Sequence, residues 1–250
     1  NKLLARSQGN PFYLEELLNF LHDRGLDPRD PTALEKIELP DSLHTLILSR
    51  IDQLSAREKT TLRVASVIGR LFRAHWLIGY YPELGEAASV KDDLDQLAEL
   101  DFTPLDTPDP ELVYLFKHIV THEVAYENLP FATRARLHAR LARYLENQVA
   151  SGALTETFLL DTLTYHYLRS EDTAKQREYL RKAGQAAVNM SAFNTALDYL
   201  TRLMELTPAT DPARSAVTLL LATAQRGLGD YAAARDTARH VDRREGVHLA

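Results

Sequence analysis

The sequence predicts a mainly α-helical chain built in several parts. Apolar residues recur at helical spacing from near the first residue to near the last. A single pair of short β-prone runs, within residues 101–116, interrupts that rhythm. Small and aromatic residues then recur in a fixed order through the last third, as in a stacked helical array.

The elements follow in order. Ser7, Gly9, Asn10 and Pro11 form a turn, and Pro11 suits the first helical turn, where its missing N–H costs nothing. Leu14, Leu17, Leu18 and Leu21 make residues 12–22 an amphipathic helix, and Asp27, Pro28, Asp30 and Pro31 break it into a linker. Leu43, Leu46, Ile47, Ile51 and Leu54 mark the next helix face. Ser55 and Glu58 form a capping box ahead of a helix carrying Leu62, Ala65 and Ile68, and Gly69 stops it. A second capping box is read at Ser89–Asp92, opening a helix that runs to about Leu100 with Val90, Leu94, Leu97 and Ala98 inward. The runs 101–105 and 112–116 flank a turn with two prolines, Pro108 and Pro110. A hairpin after three helices is the pattern of a winged-helix domain, with strands expected only in the wing. Helices are expected over 118–128 and 131–149, and only helices beyond about Leu154.

Gly184, Ala187, Ser191, Phe193, Ala196, Leu200, Leu203 and Pro208 fall in the order of a tetratricopeptide repeat, as do Gly229, Tyr231, Ala234 and Ala238. Small residues let two helices approach, Phe193 and Tyr231 are expected to fill the wedge between them, and Pro208 ends the second helix. The predicted parts are a lid-helix remnant and linker at 1–38, a winged-helix domain with linking helices at 39–150, and tetratricopeptide-like α-hairpins at 151–250.

Composition narrows the function classes. The chain has 250 residues, 45% hydrophobic and 26% charged, which suits a globular core. Its net charge of -6 argues against a dedicated nucleic-acid binder. The absence of cysteine excludes disulfides and thiolate metal sites and suits a cytoplasmic protein. No apolar run approaches a membrane span, and the opening at Asn1 reads as a cut from a longer polypeptide.

With these pieces in place, the chain resembles the signal-transducing ATPases with numerous domains, a branch related to AAA+ and NACHT proteins. The segment Gly9-Asn10-Pro11-Phe12-Tyr13-Leu14-Glu15-Glu16-Leu17 is similar to the lid that follows the ATPase core, with its Gly-x-Pro motif. Leu39-Pro40-Asp41-Ser42-Leu43, Ser49-Arg50-Ile51-Asp52-Gln53-Leu54, Ala65-Ser66-Val67-Ile68-Gly69-Arg70, Phe116-Lys117-His118, Glu123-Val124-Ala125-Tyr126 and Arg136-Leu137-His138 are similar to the next module. The look-alikes are ATPase regions of bacterial adenylate or guanylate cyclases and of large LuxR-type transcription regulators. The resemblance implies that Gly9, Pro11 and His118 face ADP or ATP in a full-length parent, with His118 on the β-phosphate. A hydrogen bond from His118 to a carbonyl of the wing is the plainer alternative.

No Gly-x-x-x-x-Gly-Lys-Ser/Thr phosphate loop and no apolar strand ending in a magnesium-holding Asp is present. No catalytic residue is therefore assigned, and no cofactor to this chain alone. The upstream ATPase core would be its partner in the same polypeptide. His118 and His122, four apart, have zinc-compatible spacing but no third ligand, so no metal site is assigned. Arg136, Arg140 and Arg143 form a basic stripe, read as a solvated face with Glu146 close by. The recognition helix of the winged domain carries Asp92, Asp93, Asp95 and Glu99 against Lys91, which makes DNA a poor partner. The repeats are expected to bind a protein partner through the first helix of each hairpin, at positions such as Asn189 and Gln225. The expected function is a non-catalytic regulatory and interaction region of a signalling ATPase. The alternatives are a stand-alone tetratricopeptide adaptor and a DNA-binding winged-helix regulator.

Overall fold

Side-chain caps start several of the helices where the sequence places them. The computed structural model describes residues 2–30, 37 and 39–245; Asn1, Pro31, the rest of its linker at 32–36 and 38, and residues 246–250 lie outside the described residues. Within the chain, residues 1–134 and 135–250 form two compact units.

The first unit opens with α1 (Lys2–Ser7), α2 (Pro11–Asp23), α3 (Leu43–Ile51) and α4 (Ala56–Ile68). Asn10 accepts from the N–H groups of Phe12 and Tyr13, Ser42 from that of Thr45, and Ser55 and Glu58 form the reciprocal box. The apolar face of α2 (Leu17, Phe20, Leu21) shares one core with Leu3, Leu39 and Leu46. Leu54 is buried but lies past the end of α3. Tyr13 Oη donates to the Pro40 carbonyl at 2.7 Å, and Arg6 donates to the Leu39 and Pro40 carbonyls and to Asp41. These bonds fasten the segment before α3 to α1 and α2.

Next come β1 (Leu71–Arg73), α5 (Ala74–Tyr80), a 3-10 turn (Pro82–Leu84), α6 (Ala87–Glu99), β2 (Leu105–Thr107), β3 (Val113–Leu115) and α7 (Ile119–Glu127). The antiparallel sheet has the order β1-β3-β2, with Phe72 opposite Tyr114. Helix, strand, two helices and a hairpin joined by the earlier strand make the winged-helix layout. Strands are therefore not confined to the wing. The sequence reading missed β1 and α5 because three residues are too few for alternation, and seven apolar-rich residues without a side-chain cap carry no helical signature. The capping box read at Ser89 does not form. Glu86 precedes α6 without a side-chain cap bond, and Ser89 is already helical. The left-handed Gly85 (φ +92°) ends the preceding turn, and burial of Val90, Leu94 and Leu97 fixes the face of α6.

The second unit holds most of α8 (Phe131–Ala150), then α9 (Glu156–Leu168), α10 (Thr173–Asn189), α11 (Phe193–Leu206), α12 (Arg214–Gly227) and α13 (Tyr231–Glu245). Consecutive helices pack as hairpins around Leu180, Ala187, Ala196, Leu200 and Val217, a tetratricopeptide-like solenoid. The two interior glycines set the spacing. A Cβ on Gly184 would stand 2.7 Å from Leu200 Cδ2, and one on Gly227 would stand 2.5 Å from the Phe193 ring. Phe193 thus fills its wedge. Tyr231, at the start of the last described helix, does not: it is 69% exposed. Glu146, read beside the arginine stripe, is instead a hub between helices. It accepts from Lys175 Nζ at 2.6 Å, Tyr167 Oη at 2.6 Å and Tyr179 Oη at 2.9 Å. Burial pushes its carboxyl up, but those donors outweigh burial and hold it below the usual range.

Candidate functional site

The turn before α2 and the residue before α7 come together in the first unit. Gly9 takes φ +80° with open space around it, Asn10 caps α2, and Pro11 is the first helical residue and exposed. The next side chain, Phe12, meets the His118 imidazole, with ring centroids 3.9 Å apart and planes tilted by 38°. His118 is the N-cap residue of α7, yet its side chain makes no cap bond. It makes no hydrogen bond to a wing carbonyl either. Its Nε2 is buried without a hydrogen-bond partner, 3.7 Å from Glu15 Oε2, too far for a hydrogen bond. Lys117 Nζ binds the other Glu15 oxygen at 2.7 Å and Asp101 Oδ2 at 2.8 Å, so one cation is shared by two carboxylates beside His118.

Arg50 lies in the same unit, with its side chain 1% exposed. From α3 it donates to Glu16 at 2.7 Å and Asp23 at 2.6 Å, both on α2, and to the Leu100 carbonyl at 2.7 Å. Its guanidinium carbon lies 4.7 Å from the centre of the Phe102 ring. Burial works against its charge, and the bonds and charges of Asp23 and Glu16 more than reverse this, leaving its pKa raised. Arg50 therefore joins α2, α3 and the root of the wing.

The two histidines once paired by spacing face different ways. His122 Nε2 bonds the Ser66 carbonyl at 2.9 Å, and burial lowers its pKa, so it is a neutral donor toward α4. Among the described residues, no three potential metal ligands gather. On α6, Asp93 is tied to Arg57 and Thr61, and Lys91 is spent on Asp95 at 2.6 Å. Asp92 and Glu99 are left exposed, and a phosphate backbone would meet them without a free cation on this helix.

In the second unit, α9, α10 and α12 enclose an open groove of about 850 Å³. Asn189 lines it; Gln225 does not, and its Oε1 is buried without a partner. Leu160, Val217, Leu219 and Leu220 supply apolar surface, and Arg181, Gln185 and Thr223 are among the polar lining.

The sequence pointed to Gly9, Pro11 and His118 but not to Phe12, Glu15, Lys117 or Arg181. The first three of these sit inside the quoted motifs, yet only the tertiary fold reveals their pairing. Arg181 has no signal beyond being a charged helix residue.

No family model matches the chain, and no curated protein matches it. A solved structure that does match is a signal transduction ATPase with numerous domains, with a tetratricopeptide repeat sensor, from Pyrococcus horikoshii. The match covers 96% of this chain and 37% of that one, at 12% identity and a TM-score of 0.46. The chain thus spans little more than a third of that protein, and a likeness of this degree assigns no function.

Proposed function

We propose that this chain is the non-catalytic regulatory and protein-interaction region of a multidomain signalling ATPase, of the cyclase-associated or transcription-regulator type. The observation that carries the reading is the meeting of the α2 turn with His118. Phe12 packs at a tilt against an imidazole whose buried Nε2 has no hydrogen-bond partner. The residues fit a nucleotide diphosphate. Once a movement of the α2 turn uncovers its Nε2, His118 can donate to a phosphate oxygen; the start of α7 adds favourable partial charge, and Pro11 offers a rigid apolar face for a base. Lys117, shared between Glu15 and Asp101, offsets part of the negative charge beside His118. ADP or ATP would be held mainly by an ATPase core upstream in the same polypeptide, and the winged helix would close on it. The repeats would bind a protein segment and bias the open or closed state. Pro11→Ala, made in that longer polypeptide, is expected to weaken nucleotide retention more than it lowers thermal stability. Equal retention would reduce Pro11 to a plain helix start.

The adaptor reading uses the groove of the second unit and leaves His118 without a role. A phosphate loop upstream of Asn1 separates the two, since only the ATPase reading requires one.

A further inference from the structure

The groove between α9, α10 and α12 has an uneven charge balance. Glu156 and Lys182 pair across it at 2.7 Å, and Glu178 holds Lys182 as well at 2.8 Å. Arg181 is exposed and has no ion-pair or hydrogen-bond partner among the described residues. One and two turns further along α10 stand Gln185 and Asn189, bonded to each other at 3.0 Å. The three residues form one stripe of about 12 Å, at 1.5 Å of rise per residue. The α12 wall opposite contributes Val217, Leu219 and Leu220 and no charge. Leu219 is 53% exposed, an apolar side chain on a soluble surface beside a single unspent cation.

We propose that this groove takes a short acidic, aliphatic segment of a partner protein. An aliphatic side chain of the segment lies against Leu219 and Leu220, and a carboxylate one helical turn or a few extended residues away meets the Arg181 guanidinium. Such a pair is charge-assisted and bidentate, which a lysine could not reproduce. The Gln185 and Asn189 amides supply donors and acceptors for the segment's backbone. A basic segment meets like charge at Arg181 with no free carboxylate to offset it. This inference rests on the reading that the repeats bind a protein segment, and it names the chemistry of that segment.

The test is fluorescence anisotropy on the full chain with a fluorescein-labelled, capped peptide of leucine pairs separated by glutamates. Two further peptides carry lysine for glutamate or serine for leucine. The leucine–glutamate peptide is expected to bind and the other two to bind weakly or not at all. Arg181→Glu is expected to weaken the glutamate peptide about tenfold or more, the scale of a charge-assisted pair, and to strengthen the lysine peptide. Leu219→Asp is expected to weaken the glutamate peptide too. Both positions are exposed, so unchanged circular dichroism and melting will show that the variants fold. Equal binding of the glutamate peptide by the native chain and Arg181→Glu overturns the proposal. If the lysine and glutamate peptides bind alike and Leu219→Asp removes both, the acidic preference fails while the protein-segment reading stands. If no peptide binds, both fail; if decanoate alone then binds in an Arg181-dependent way, the groove belongs to a small amphiphilic acid.

Discussion

Replacing Arg50 with alanine is expected to cost residues 1–134 about 3–5 kcal/mol, the usual loss when one partner of a buried ion pair is removed. The effect is large because Glu16 is 2% exposed and Asp23 10% exposed at the side chain, and both would be left charged without a partner. The Leu100 carbonyl would lose its donor, and the Phe102 ring its cation. The chain's single tryptophan, Trp76, lies on α5 in the same unit, so its fluorescence reports unfolding there and not in the repeats. Adding Glu16→Gln to Arg50→Ala should recover part of the loss, because the stranded charge is then gone. A drop below about 1 kcal/mol would mean that water reaches the site and that Arg50 behaves as a surface pair. Since Arg50 ties α2 to the root of the wing, the same substitution should also loosen the contact between Phe12 and His118.

Acid is expected to weaken the second unit through a buried histidine pair. His138 and His166 face each other with Nδ1 atoms 2.8 Å apart, and each is 1% exposed. Tyr165 lies edge-on to both rings. Burial pushes the His166 pKa down to about 3, with further lowering from His138 and Arg169. The sign follows from proton counting. An unfolded His166 binds a proton below about pH 6.5, whereas the folded one stays neutral until far lower pH. Its contribution is therefore complete above about pH 6.5 and is lost as pH falls toward 3. Between pH 7 and pH 5 the loss is about 2 kcal/mol. Chemical unfolding of the helical signal at the two pH values measures it. His166→Gln keeps a donor and an acceptor but cannot take up the proton, so it should flatten this part of the pH dependence. An equal acid loss in that variant would assign the effect to other groups.

The helical class and the repeat hairpins were legible because they rest on local chemistry. Asn10, Ser55 and Glu58 cap where such residues are expected to cap, and Gly184 sits where close helix approach demands no Cβ. Short elements were not legible. A three-residue strand such as β1 exists because β3 pairs with it, and no pattern inside Leu71–Arg73 says so. Ser89 shows the opposite error: a good local cap signal was overridden by the burial register of α6. At the candidate site, the sequence could mark His118 and Pro11 separately. That Phe12 meets the His118 ring, and that Glu15 binds Lys117 102 positions along the chain, depends on tertiary packing. Arg50 stood inside a quoted motif, but its role depends on three partners up to 50 positions away.

In the proposed function His118 senses a bound diphosphate. The most direct measurement is the rate of ADP release from the longer polypeptide with and without His118→Ala, followed with a fluorescent ADP analogue. Faster release and a more open, partner-competent molecule are expected, with the Trp76 unfolding midpoint nearly unchanged, because His118 Nε2 makes no hydrogen bond that the fold would lose. Unchanged release would contradict it, and a large fall in the unfolding midpoint would make His118 a packing residue against Phe12.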